Sequence, residues 1–286
     1  MKQTHKWPEG HVFREKHNNR QPTLADISGG ASIRGTVRTN ENDSEKRADF
    51  ILHSPQNGTD YRIFIETPDA KQGPWPAMAF MDGGDQFRFA REAYRVLQAS
   101  EKTAPLLLVG VGYGASYTKP GNRRLRDYTP TTLATEPESG GADAFLAFLR
   151  ETLWPELALR YPVHGELRGL AGHSLGSLLV LYALFQRELF FNRFLVSAPS
   201  LWWDDRALLC RAGRLQRTGV ALPGRVFFGL GEKDTPSMTE DLQRLEDQLA
   251  ARPFPRLEVS SQRFSGRDHY NVLPEAFQEG MRRLFI

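Results

Sequence analysis

One repeated alternation constrains the fold more than any other feature of this chain. Six short apolar runs, AMAFMDG (77–83), LLLVGVG (106–112), LRGLAG (167–172), RFLVSA (193–198), RVFFGLG (225–231) and LEVSSQRF (257–264), are separated by more polar stretches. Runs of this length suit strands covered on both faces. Between them FRFAREAYRVLQAS, GADAFLAFLRETLWPELALRY, SMTEDLQRLEDQLAAR and LPEAFQEGMRRLFI read as amphipathic helices. Leu242, Leu245 and Leu249 form the stripe of the third, and Pro155 ends or kinks the second. Such alternation predicts an α/β fold, with a mostly parallel central sheet and helices on both faces. Ahead of it, ADFILHS and YRIFIETP flank the turn signal PQNGTD and predict an antiparallel hairpin at the N-terminal edge of the sheet. A single domain is therefore expected over residues 48–286, after a polar arm over residues 1–47 that is ordered in part at most.

Charge and motif content exclude several function classes. The 286 residues carry a net charge of only +3, with no Lys/Arg block, so no nucleic-acid partner is expected. No apolar run approaches the ~18 residues of a membrane span, and the N-terminal MKQTHKWPEGHVFREK lacks the apolar core of a signal peptide. The single cysteine, Cys210, follows Leu208 and Leu209 and is expected as a packed thiol; a reducing, cytoplasmic setting follows. No metal-ligand spacing exists, and His5, His11, His17, His53 and His164 are scattered, so neither metal nor cofactor is expected. GVGYGA (110–115) fits a nucleotide fingerprint, but SYTKPGNRR follows it where a helix would have to open. The long irregular stretch over 112–141 is expected to be functional. Oligomeric state is left open.

The chemistry concentrates in RGLAGHSLGSLLVLYALF (168–185). Gly172-His173-Ser174-Leu175-Gly176 fits G-x-S-x-G, with an apolar strand leading in and a helix leading out. On such a strained turn the serine stands clear of the sheet, and the glycines let strand and helix approach. The competing reading makes Ser174 a plain helix N-cap, which needs neither glycine nor a preceding strand. The Leu175 amide, at the helix N-terminus, is a candidate oxyanion donor. The second donor is sought in MDGGDQF, at Gly83 or Gly84, where backbone can approach a substrate closely.

A serine nucleophile needs a base, and His269 in FSGRDHYNVLP is the one histidine downstream. It follows the last strand signal, so its loop lies at the carboxyl ends of the strands beside the serine turn. His173 adjoins Ser174, and its side chain is expected to point away from the serine's. The acid is sought in Gly231-Glu232-Lys233-Asp234, with Asp234 first and Glu232 second; Asp268, adjacent to the histidine, is the least suited.

Together these residues resemble the "Putative esterase" family of α/β-hydrolases, and within it the siderophore trilactone esterases acting on enterobactin, salmochelin and bacillibactin. DYRIFIETP, MDGGDQF, RLRDYTP, GGADAFLAFL, GHSLGS, SAPSLWW, FGLGEKD and HYNVLPEAFQEGMRRLF carry the resemblance over about residues 48–286. It implies an α/β-hydrolase fold, Ser174 as nucleophile and His269 as base. Asp234 matches an acid that many members have, although some trilactone esterases resemble a Ser–His dyad. Ser177 stands where the family's G-H-S-L-G-G has glycine. Arg126 in RLRDYTP matches an arginine facing the active site, where it stacks on or bonds a catechol ring; the alternative is an ion pair with Asp127. Trp202 and Trp203 either line an aromatic acyl pocket or belong to the core. The implied activity is a cofactor-independent serine carboxylesterase acting on a small-molecule ester, possible substrates being a catecholate siderophore trilactone or a related bulky ester. The alternatives are an esterase for carbohydrate-linked or small acyl esters, an acyltransferase, and a non-catalytic binding module.

Overall fold

The computed structural model describes residues 48–286 apart from Lys71 and Thr118; the arm expected over 1–47 lies outside the described residues. Among the described residues, eight strands form one sheet in the order β1-β2-β4-β3-β5-β6-β7-β8. β1 (Phe50–Ser54) and β2 (Thr59–Glu66) make the antiparallel hairpin, and β2 runs antiparallel to β4 (Leu107–Gly112). β3 (Trp75–Phe80), β5 (Val163–His173), β6 (Arg193–Ser197), β7 (Gly224–Gly231) and β8 (Leu257–Phe264) continue in parallel from β4.

Successive residues of a strand point to opposite faces, and the two faces have separate cores. Met78 and Phe80 face α1 (Gly83–Ala99) and the C-terminal helix Leu273–Leu284, with Phe87, Tyr94 and Phe277 between them. Ala77, Ala79 and Met81 face the other layer, which holds Phe145, Leu179, Leu208 and Leu245. In chain order that layer comprises a short α2 (Arg124–Asp127), α3 (Ala142–Phe148), α4 (Trp154–Arg160), α5 (Leu175–Leu184), α6 (Trp203–Gln216) and α7 (Pro236–Ala251); the C-terminal helix is α8. A π-helical turn, Leu149–Leu153, joins α3 to α4. Pro155 has no N–H for the Glu151 carbonyl, and its ring crowds that carbonyl; widening the turn ahead of it keeps the helices continuous.

Two features differ from the sequence expectation. α6 has no counterpart in the helical periodicity, because Asp204, Asp205 and Arg206 near its start all have positive φ, a left-handed turn that interrupts the pattern. Arg206 is tied to buried Asp241 at 2.6 Å. Cys210 is exposed, not packed. The buried stripe of α6 is Leu208, Ala212 and Leu215, and a residue two positions after Leu208 falls on the opposite side of a helix.

Topology positions the site. The chain passes from β3 to β4 on one side and then crosses back to β5 on the other side of β3, so a crevice opens above the carboxyl ends of β3 and β5. The Asp82 turn, Ser174, Ser200, Asp234 and His269 all follow strand ends on this edge.

Candidate active site

Ser174 sits between β5 and α5 with φ 56° and ψ −119°, and its side chain makes no capping hydrogen bond. An N-cap serine has extended backbone and bonds the first-turn amides, so the plain-cap reading fails. The main chain holds the strained turn: Ser174 N–H donates to Ser197 O at 2.9 Å, and Ser174 O accepts from Ser177 and Leu178 at 3.1 and 3.3 Å. Its glycine neighbours are sterically required. A Cβ on Gly172 would lie 2.3 Å from the Gly176 carbonyl carbon, and one on Gly176 would press on Met81 at 3.2 Å. Ser177 takes the third small position with a buried hydroxyl, 2.6 Å from Gly172 O and 2.8 Å from the Ser197 amide it accepts from. The extra oxygen therefore stitches α5 to β5 and β6.

The Ser174 hydroxyl lies 3.4 Å from Ser200 Oγ and makes no hydrogen bond to His269. Such bonds often tighten only when substrate is bound. His269 Nδ1 is 3.0 Å from Asp234 Oδ2, in a pair whose carboxylate side chain is fully buried and whose ring is 19% exposed. Asp234 also accepts Thr235 N–H through Oδ1 at 2.7 Å, so both oxygens are engaged. The pairing fixes the tautomer: Nδ1 carries the proton toward the carboxylate, and Nε2 is free to take one. Glu232 is exposed and accepts the Gly266 amide. Asp268 accepts the amides of Tyr270 and Asn271, which hold its carboxyl below the usual range. Of the three acids, Asp234 alone meets the imidazole.

Beside the serine turn, Asp82 precedes α1 in the left-handed region (φ 56°, ψ 44°) and is braced from the long loop over 112–141. Tyr128 Oη accepts the Asp82 amide at 3.0 Å, and Arg124 grips both carboxylate oxygens at 3.0 and 3.1 Å. Burial pushes the Asp82 carboxyl up; Arg124 opposes that. Burial acts to lower the Arg124 pKa, but Asp82 outweighs it and holds the guanidinium firmly charged. The turn separates the two candidate glycines. A Cβ on Gly83 would strike the β4 backbone at 2.8 Å, whereas nothing lies within 4 Å of one on Gly84. The amides of Gly83, Gly84 and Leu175, at the very start of α1 and α5, have no intrahelical acceptor, so they can serve developing negative charge.

Arg126 makes the ion pair with Asp127 that was the alternative to facing a catechol ring. Its guanidinium is committed to buried Asp127 at 2.7 Å and to Thr59 at 2.8 Å. Asp127 is further occupied by Tyr61 and Tyr113. The arginine at the Asp82 turn is Arg124. It lies 4.6 Å from the centroid of half-exposed Tyr117, a residue the sequence reading did not single out. The two tryptophans divide: Trp203 is buried and donates to Thr131 at 3.1 Å, while Trp202 is 45% exposed beside the Ser200 loop.

Replacing Arg124 by methionine strands the Asp82 carboxylate without its cation. Losing one partner of a buried pair costs about 3–5 kcal/mol. Asp82 then has a folded-state pKa above its unfolded value, so its ionisation opposes folding. The deficit relative to the parent should be largest at neutral pH and shrink as pH falls and the carboxyl is protonated in both states. Urea unfolding across that range checks the size and the sign.

Comparison with known proteins extends this geometry. The family described as "Putative esterase" matches residues 54–270. A siderophore triacetylfusarinine C esterase of Aspergillus fumigatus is 36% identical over 68% of this chain and 70% of its own length. A ferri-bacillibactin esterase of Bacillus subtilis is 27% identical over 81% of this chain and 87% of its own. Among solved structures, the BES protein from Bacillus cereus has a TM-score of 0.76 at 24% identity, covering 90% of this chain and all of that one, and so shares the fold.

Proposed function

The chain belongs to the "Putative esterase" family, and from that premise we propose that it hydrolyses a bulky carboxylic ester through a covalent acyl-enzyme on Ser174. The observation that carries this reading is the His269–Asp234 pair, 3.0 Å long, at the same sheet edge as a serine in a left-handed turn. His269 Nε2 takes the Ser174 hydroxyl proton as Oγ attacks the ester carbonyl. The amides of Leu175 and of the Gly83–Gly84 turn receive the oxyanion. His269 returns the proton to the departing alkoxide, then activates water to release the acid and restore Ser174. Asp234 stabilises the imidazolium formed twice per cycle.

For substrate we propose a siderophore ester, a catecholate trilactone foremost. Relatives named as siderophore esterases support this class. So do the exposed rings beside the site: Trp202, Tyr117 under Arg124, and Tyr270, 71% exposed and next to His269. Aromatic faces and a guanidinium suit an anionic aryl ligand. No described helix is long and apolar enough to cross a membrane; the lone cysteine fits a reducing, cytoplasmic setting. Hydrolysis of a catecholate trilactone should exceed that of short acyl esters in kcat/KM. An untouched trilactone beside rapid turnover of short acyl esters would reject the substrate class and leave the serine chemistry standing.

The acid assignment has its own test. Asp234→Asn should lower kcat by about 10⁴-fold, as a mis-set tautomer does, whereas Glu232→Gln should stay within a few-fold of the parent. The reverse order in steady-state assays would move the acid to Glu232.

A further inference from the structure

His173 belongs to no role assigned above, yet it is almost fully buried at the end of β5, directly before the nucleophile. Its ring is engaged on two sides. Nδ1 is 3.0 Å from Ser197 Oγ at the end of β6. The ring packs on the His269 imidazole, with centroids 4.6 Å apart and planes at 45°. We propose that His173 is a positioning residue that holds the His269 loop and imidazole at the working distance from Ser174. The inference rests on the Ser174–His269–Asp234 reading.

The physical case has two parts. His269 sits in a loop after β8, the last strand at the sheet edge, while Ser174 ends β5, with β6 and β7 between them. Asp234, after β7, fixes one edge of the imidazole but not its height above the serine turn. His173 supplies a rigid strut from the residue next to the nucleophile straight to the base, so that the two move together. A strut against a base that becomes cationic must itself stay neutral. Burial drives the His173 pKa well below that of free histidine, and the neighbouring His269 and then Arg124 push it the same way. The ring therefore braces His269 without opposing the imidazolium by like charge.

The test compares three variants with the parent in steady-state hydrolysis and in the far-downfield proton spectrum, where the His269 Nδ1–H bonded to Asp234 is read. His173→Phe keeps the ring and loses the hydrogen bond to Ser197. It should lower kcat by about 10- to 100-fold, the scale of an ångström-level misplacement, with KM unchanged and the downfield resonance broadened or lost. His173→Asn, whose side-chain amide can again bond Ser197 Oγ from the Nδ1 position, should recover most of the rate and the resonance. Should His173→Phe fail to fold, Ser197→Ala removes the anchor at Nδ1 and should show the same pattern in weaker form. A His173→Phe enzyme with parental kcat, or one with lowered kcat but an unchanged resonance, overturns the proposal. Retained turnover in His269→Ala would instead overturn the reading beneath it, whatever the His173 variants do.

Discussion

Replacing Ser174 by alanine is expected to lower ester hydrolysis by about 10⁴- to 10⁶-fold, the scale seen when a serine nucleophile is removed. The loss should come without unfolding. The Ser174 side chain neither caps α5 nor bonds the sheet, and the strained turn is held by main-chain bonds to Ser197, Ser177 and Leu178 that alanine retains. Alanine occupies the same left-handed conformation at much the same steric cost. Thermal melting should therefore be near parental while turnover collapses. A residual rate above the uncatalysed one should remain, because the proposed oxyanion donors, the Leu175 amide and one of the Gly83–Gly84 amides, are untouched by the substitution and can serve a water-attack route.

Replacing His269 by alanine is expected to cost about as much, for a different reason. Without Nε2 the serine keeps its proton, and the leaving alkoxide has no donor. Asp234 cannot substitute, since its carboxylate is buried behind the ring. The loss should not add to that of Ser174→Ala: the double variant should be no slower than the worse single, because the two groups act in one step. Steady-state kinetics on the two singles and the double check this. Parental turnover in His269→Ala would refute the pairing.

The fold was legible because the central strands are short apolar runs and the covering helices other than α6 and the short α2 repeat at their own period. Gly172 and Gly176 announced the serine turn through the close approach they permit. The candidate acids were not separable from residue type. Glu232 and Asp234 lie in one four-residue turn, and only the backbone path buries the second against His269. Arg124 and Arg126 pose the same problem on a single helical turn: two residues apart, they diverge, one to Asp82 and one to Asp127. The trajectory of the 112–141 loop decides which reaches the crevice, and no local pattern encodes it. His173 was hidden for another reason. Its side chain does leave the serine's direction, as an adjacent residue on a strand end should, but what it meets there is His269, 96 positions later in the sequence. Trp202 and Trp203 split between surface and core because adjacent side chains on helical backbone point about 100° apart.

Active-site labelling bears most directly on the central claim. A fluorophosphonate probe, followed by peptide mass spectrometry, should place one adduct per chain on Ser174, with labelling abolished in Ser174→Ala and strongly slowed in His269→Ala. An adduct on another residue, or labelling of the Ser174→Ala protein at the parental rate, would contradict the assignment of Ser174 as the nucleophile.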